Sequence, residues 1–298
     1  MNKGHIELFA PAQPIADARV GVVLVNHAGS TAKNTLFTRG DTVGDATYLA
    51  DTLGVTVIAA DRPGSGTSMP NPLQKNRLNT DASAEFEQVH TDLWAVIAAK
   101  GLQRIIITGR SLGGYGALAL GTFGADEVVA FEPGAMHHQD VKSGKKYYKD
   151  YLESEKKLFA DQANDYILPP QNDQHGLANI RRALTIAKGV VADTYHYTGL
   201  LATDEGLQNA RCIARNYPET PLSLYFAEKS LVYPTGDIAS LETELKNQRA
   251  ASVSAIKAPV VARAIPNTLH GSFNNRALVA QYLEPSVANQ SDAINSVS

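Results

Sequence analysis

Arg104-Ile105-Ile106-Ile107-Thr108-Gly109-Arg110-Ser111-Leu112-Gly113-Gly114-Tyr115-Gly116-Ala117-Leu118-Ala119-Leu120 decides how the chain is read. A β-branched apolar run breaks at a glycine, passes through one serine and re-emerges as a helical segment of small residues. That order of strand, sharp turn and helix is a nucleophile elbow, with Ser111 at its apex as the candidate nucleophile. A serine so placed sits at strained backbone angles, and strand and helix must approach closely beneath it. Gly109 and Gly113 flank it symmetrically and put no Cβ in the way of that approach.

Toward the N-terminus, Arg19-Val20-Gly21-Val22-Val23-Leu24-Val25-Asn26 and Val55-Thr56-Val57-Ile58-Ala59-Ala60 are apolar at nearly every position, as strands buried on both faces are. A shorter strand is expected near Ile6 to Phe9. A helix is predicted from Thr42 to Leu53, with Gly54 at its C′ position. Another is predicted from Ala82 to Lys100, where Phe86, Val89, Leu93 and Val96-Ile97 recur at helical spacing and Gly101 ends the run. Beyond the elbow, Glu127 to Phe131, Leu222 to Ala227 and Val260 to Ile265 read as further strands, with helices over Ile238 to Arg249 and Phe273 to Leu283. Strands alternating with helices predict an α/β chain whose mainly parallel central sheet is flanked by helices.

Between Ala135 and Thr220 the texture changes. Tyr147, Tyr148, Tyr151, Leu158 and Phe159 mix with Lys and Glu in helical patterns, and Pro169-Pro170 interrupts them. The expected organisation is a core domain over 1–134 and 221–285, a helical cap inserted over 135–220, and a flexible polar tail over 286–298. The cap tyrosines, Tyr195 and Tyr197 included, read as its own core and surface.

A chain of 298 residues can bury the core of one large domain. Its net charge of -3, without acidic or basic blocks, offers no field for nucleic acid or an acidic membrane, so a small-molecule ligand is expected. The single cysteine, Cys212, excludes an internal disulfide, and no Cys/His spacing suits zinc; no metal and no cofactor are expected. Gly64-Ser65-Gly66 lacks the spacing of a dinucleotide or phosphate loop. Met1-Asn2-Lys3-Gly4-His5-Ile6-Glu7 lacks the apolar core of a signal peptide, and no apolar run approaches membrane-spanning length, which together predict a cytoplasmic protein.

Four features taken together resemble the α/β-hydrolase fold family over about residues 15–284. His27-Ala28-Gly29 stands where the family has His-Gly-x, and Asp61-Arg62-Pro63-Gly64-Ser65-Gly66 resembles its Asp-x-x-Gly-x-Gly loop. Ser111 occupies the elbow, His270 follows the last strand, and all four come in the family's order. A serine hydroxyl needs a base to take its proton, and a histidine of near-neutral pKa suits that task. Of the eight histidines, His270 alone lies on a loop after a late strand, where a parallel sheet gathers its strand ends over one crevice.

The family's usual acid is the Asp of a Gly-x-x-Asp turn, which here reads Ala227-Glu228-Lys229-Ser230. Serine supplies no carboxylate. A second family location, the end of the strand after the elbow helix, holds Phe131-Glu132-Pro133, so the resemblance implies Glu132 as the acid, with Glu228 as the alternative. It implies an oxyanion hole from the N–H of Leu112 and that of Gly29, Ala28 being the rival donor because of the departure there. Arg110 and Asp61 are expected to be structural. The implied chemistry is acyl transfer to Ser111: a serine hydrolase for a small or medium carboxylic ester, whose cap sets substrate size. A carbon–carbon bond or lactone hydrolase with the same triad, and an inactive hydrolase-like binding protein, are the alternatives.

Overall fold

Strands β1 (Ile6–Phe9), β2 (Val20–Val25), β3 (Thr56–Ala60), β4 (Arg104–Arg110), β5 (Glu127–Phe131), β6 (Leu222–Ala227) and β7 (Val260–Ile265) form one sheet in the order β1-β3-β2-β4-β5-β6-β7. Only β1, at the edge beside β3, runs antiparallel among these described strands. The computed structural model describes residues 6–15, 19–25, 44–61, 82–136, 203–230, 233 and 235–288. Within them lie helices α1 (Gly44–Leu53), α2 (Ala82–Ala99), α3 (Leu112–Gly121), α4 (Glu205–Asn216), α5 (Ile238–Ala250) and α6 (Arg276–Ala288). None of the described helices is long and apolar enough to cross a membrane.

Side chains alternate across a strand, so a strand apolar at every position feeds two cores. Val20, Val22 and Leu24 of β2, Val57 and Ala59 of β3 and Phe131 of β5 pack with Leu49 and Leu53 of α1 and with Leu278, Val279 and Leu283 of α6. Their neighbours Val23, Val25, Ile58, Ala60, Ile105 and Ile107 face the other side, against Phe86, Leu93 and Ile97 of α2 and Tyr115 and Leu120 of α3. A third cluster sets Val128, Leu222, Leu224 and Val260 against α4 and α5. The parallel strands therefore all end at one edge of a sheet covered on both faces.

Two boundaries differ from the sequence expectation. Residues 205–216, assigned to the cap, form α4, whose Ala210, Ile213 and Ala214 are buried on the sheet beside Leu118 and Val128. The i, i+3, i+4 spacing of those residues makes an apolar stripe, and α4 lays that stripe on the central sheet. Of the expected cap, residues 137–202 lie outside the described residues.

The last helix, expected over Phe273 to Leu283, begins instead at Arg276, because the Asn275 Oδ1 accepts the Ala277 N–H at 3.0 Å and the Leu278 N–H at 3.4 Å. It also runs past Pro285 to Ala288, where a tail was expected. Proline removes one helical hydrogen bond on a solvent-facing turn. Burial of Ser286 and Val287, a 2.5 Å bond from Ser286 Oγ to Glu127 Oε1 and a 2.7 Å bond from Arg104 Nη1 to the Ser286 carbonyl hold the final turn to the sheet.

Two glycines of the elbow stand where backbone passes too close for a side chain. A Cβ on Gly109 would stand 2.2 Å from the Gly113 carbonyl oxygen, and one on Gly114 would stand 2.9 Å from Pro133 Cα. Both obstacles are backbone and cannot move aside. Gly109→Ala is therefore expected to cost about 1–3 kcal/mol or more in urea unfolding, whereas Gly236→Ala, which meets nothing within 4 Å, should stay within about 0.5 kcal/mol of the parent. Equal midpoints for the two variants would contradict the close crossing of β4 and α3.

Candidate active site

Among the described residues, Ser111, Glu132, Ala135 and Asn267 are the non-glycine residues with positive φ. All four sit in the loops that follow β4, β5 and β7, at the same edge of the sheet. Ser111 has φ 55° and ψ -121°, a sparsely populated conformation that costs on the order of 1–3 kcal/mol and persists only where neighbours over-determine it. They do here. The Ser111 N–H donates to the Phe131 carbonyl at 3.0 Å, and the Ser111 carbonyl accepts from Tyr115 N–H at 3.0 Å and from Gly134 N–H at 3.0 Å. The elbow after β4 and the loop after β5 are thus bonded directly to each other.

Leu112 is the first residue of α3, so its N–H belongs to the turn that has no acceptor within the helix. It carries the positive end of the helix dipole, where a developing negative charge is stabilised.

Glu132, at φ 45°, is fully buried. Its N–H donates to the Tyr225 carbonyl at 2.7 Å, which turns the side chain from the end of β5 toward β6 and β7. There Oε1 accepts the Ala227 N–H at 2.5 Å, and Oε2 accepts the Ser230 hydroxyl at 2.9 Å and lies 3.0 Å from Nδ1 of His270. A carboxylate facing a ring nitrogen requires the proton on that nitrogen, which assigns the Nδ1–H tautomer to neutral His270. The pair is withdrawn from water on both sides, His270 being 7% exposed.

The loop carrying His270 is fixed from β6. The Glu228 N–H donates to the Ile265 carbonyl at 3.1 Å and to Thr268 Oγ1 at 3.3 Å, while Glu228 Oε2 accepts the Asn267 N–H at 2.8 Å. Thr268 Oγ1 in turn donates to the Ile265 carbonyl at 2.5 Å, and Ser272 Oγ accepts the Leu269 N–H at 2.9 Å. Glu228 is thereby engaged with the backbone that precedes His270, whereas the Glu132 carboxylate meets the His270 ring itself.

The structure so brings together Glu132 and His270 and bonds the Ser111 elbow to the Glu132 loop. Arg110 and Asp61 are buried at the ends of β4 and β3. Gly29, Ala28, His27, Arg62 to Ser68 and the cap tyrosines lie outside the described residues. Among the described residues no three His, Cys, Asp or Glu side chains gather where they could hold a metal ion. Ser230 joins the site with no signal in the sequence beyond the missing aspartate: its hydroxyl is a donor suited to the Glu132 carboxylate that arrives from the neighbouring strand.

No protein-family model and no curated protein matches the sequence. Solved structures match it in fold. A lipase-esterase related protein from Clostridium acetobutylicum is similar with a TM-score of 0.57 at 16% identity, over 95% of this chain and 99% of that one. A hydrolase from Oleispira antarctica gives 0.53 at 13% identity, over 97% and 96% of the two chains. Proline iminopeptidase from Mycobacterium smegmatis gives 0.51 at 14% identity, over 95% and 94%.

The strain at Ser111 is testable without any assay of activity. Ser111→Gly should be about 1 kcal/mol more stable than Ser111→Ala in urea unfolding, because glycine accepts positive φ without the Cβ clash, an advantage that exceeds its greater freedom in the unfolded chain. The reverse order of midpoints would show that the turn is unstrained.

Proposed function

With the α/β-hydrolase fold as premise, we propose that the protein is a serine hydrolase that cleaves a small or medium carboxylic ester through an acyl-enzyme on Ser111. The observation that carries this reading is the buried 3.0 Å contact of Glu132 Oε2 with His270 Nδ1 at the sheet edge where the Ser111 elbow also ends. Glu132 keeps the imidazole proton on Nδ1, so that Nε2 serves as the base. Ser111 Oγ attacks the ester carbonyl carbon and gives its proton to Nε2; the tetrahedral intermediate collapses as the carbon–oxygen bond to the alcohol breaks and Nε2 returns the proton to the leaving oxygen. Water then repeats the sequence in reverse roles and releases the carboxylic acid.

The imidazolium formed in each step is stabilised by the buried Glu132 carboxylate beside it, in surroundings where such attraction is strong. Leu112 N–H, at the start of α3, is one oxyanion donor in this reading, and Gly29 N–H is the other. Loss of one such donor typically costs about 2.7–4 kcal/mol in the barrier.

Ser111→Ala is expected to lower ester turnover by about 10⁴-fold or more while the protein stays folded, and to abolish labelling by a fluorophosphonate probe. Glu132→Gln, which favours the wrong imidazole tautomer, should cost on the order of 10⁴-fold, whereas Glu228→Gln, which keeps an acceptor for Asn267 N–H, should stay within about twofold. A loss under about tenfold for Glu132→Gln, roughly 1.4 kcal/mol, would contradict its role as the acid. Near-parental turnover in Ser111→Ala would contradict the whole reading.

A further inference from the structure

We infer that Ser230 is a positioning residue of this site, one that holds the plane of the Glu132 carboxylate against His270. The inference rests on the triad reading above. A glutamate carboxylate has no strong torsional preference about its last bond, so its plane is set by whatever its two oxygens bond to. Here both oxygens are held by one short turn. Ala227 N–H reaches Oε1 at 2.5 Å, Ser230 Oγ reaches Oε2 at 2.9 Å, and the turn is closed by a 3.1 Å bond from Ser230 N–H to the Ala227 carbonyl.

The direction of the Ser230 hydroxyl is determined as well. Its oxygen accepts the Tyr233 N–H at 3.1 Å, and because a carboxylate oxygen only accepts, its hydrogen goes to Glu132 Oε2. Ser230 is buried, 9% exposed, and Glu132 is fully buried, so water is not there to replace the bond. Removal of the hydroxyl leaves Oε1 held by Ala227 N–H and leaves Oε2 with no fixed donor beyond the His270 ring that it orients. Oε2, the oxygen that faces Nδ1 at 3.0 Å, then swings out of line and the base loses its orientation. The position from which the fold family ordinarily supplies the acid itself supplies here the donor that aims an acid arriving from β5.

The test measures kcat and KM of Ser230→Ala and Ser230→Thr, and of Ser230→Ala combined with Glu132→Gln, with folded fractions fixed from unfolding curves at the assay temperature. Ser230→Ala should lower kcat about 10–100-fold, the range for removing a group that orients a catalytic one, with KM within about twofold. Ser230→Thr, which keeps the hydroxyl, should recover most of that loss. In the Glu132→Gln background Ser230→Ala should change kcat less than about twofold, because a residue that acts through the carboxylate has nothing to act on once the carboxylate is gone.

Equal losses in both backgrounds, a threonine variant as slow as the alanine one, or a kcat for Ser230→Ala within about threefold of the parent would each overturn the inference. If Ser230→Ala does not fold, Ser230→Cys, with a weak S–H donor of similar shape, gives the same readout. Full activity in Glu132→Gln alone overturns the triad reading instead, so the two failures are told apart.

Discussion

A carboxylate without access to water is tolerated only where donors surround it, and removal of one partner of such a buried pair is strongly destabilising. Glu132 meets that demand by drawing on separate parts of the chain: the end of β6 through Ala227, the turn beyond it through Ser230, and the loop after β7 through His270. Its own backbone is bonded to β6 through Tyr225, and the loop that follows it is bonded to the Ser111 elbow through Gly134. Glu132 and the loop that carries it therefore fasten the ends of four consecutive strands, β4 to β7, to one another. The bonds that satisfy this buried carboxylate are also the ones that hold the proposed base His270 and the elbow of the proposed nucleophile Ser111.

Backbone strain marks the same edge. Ser111 and Glu132 adopt positive φ at the ends of adjacent strands, and Asn267 does so on the approach to His270. Each of these conformations is unfavourable alone and is held by hydrogen bonds to a neighbouring segment, Ser111 through Phe131 and Gly134, Glu132 through Tyr225 and Asn267 through Glu228. The glycines beneath the elbow make the crossing sterically feasible, which is why Gly109 faces backbone at a distance no Cβ could occupy. The rest of the sheet, with α1 and α6 on one face and α2 to α5 on the other, is the rigid body against which this strain is sustained.

The elements legible in the sequence were those dictated by local chemistry. Runs such as Val20 to Val25 and Ile105 to Ile107 could only be strands buried on both faces, and the glycine, serine, glycine order at 109–113 specifies a turn that few other residues permit. What was not legible depends on contacts distant in sequence. The helix over 205–216 looked like part of an insertion because its polar face dominates its composition, and only the sheet reveals that Ala210 and Ile213 are core. The extension of α6 past Pro285 depends on Ser286 meeting Glu127, 159 residues earlier. Glu132 could be named from its place after β5, but its bond to Ser230 spans 98 residues, and the sequence shows there only the absence of an aspartate.

The protonation of the His270 ring bears most directly on whether Glu132 orients the base. Nitrogen-15 NMR of histidine-labelled protein, at a pH where the ring is neutral, distinguishes a protonated from an unprotonated ring nitrogen. With Oε2 of Glu132 lying 3.0 Å from Nδ1, His270 should be the Nδ1–H tautomer, with Nε2 carrying no proton, and that preference should be lost in Glu132→Gln. An Nε2–H tautomer in the parent protein, or a spectrum indifferent to Glu132→Gln, would contradict it.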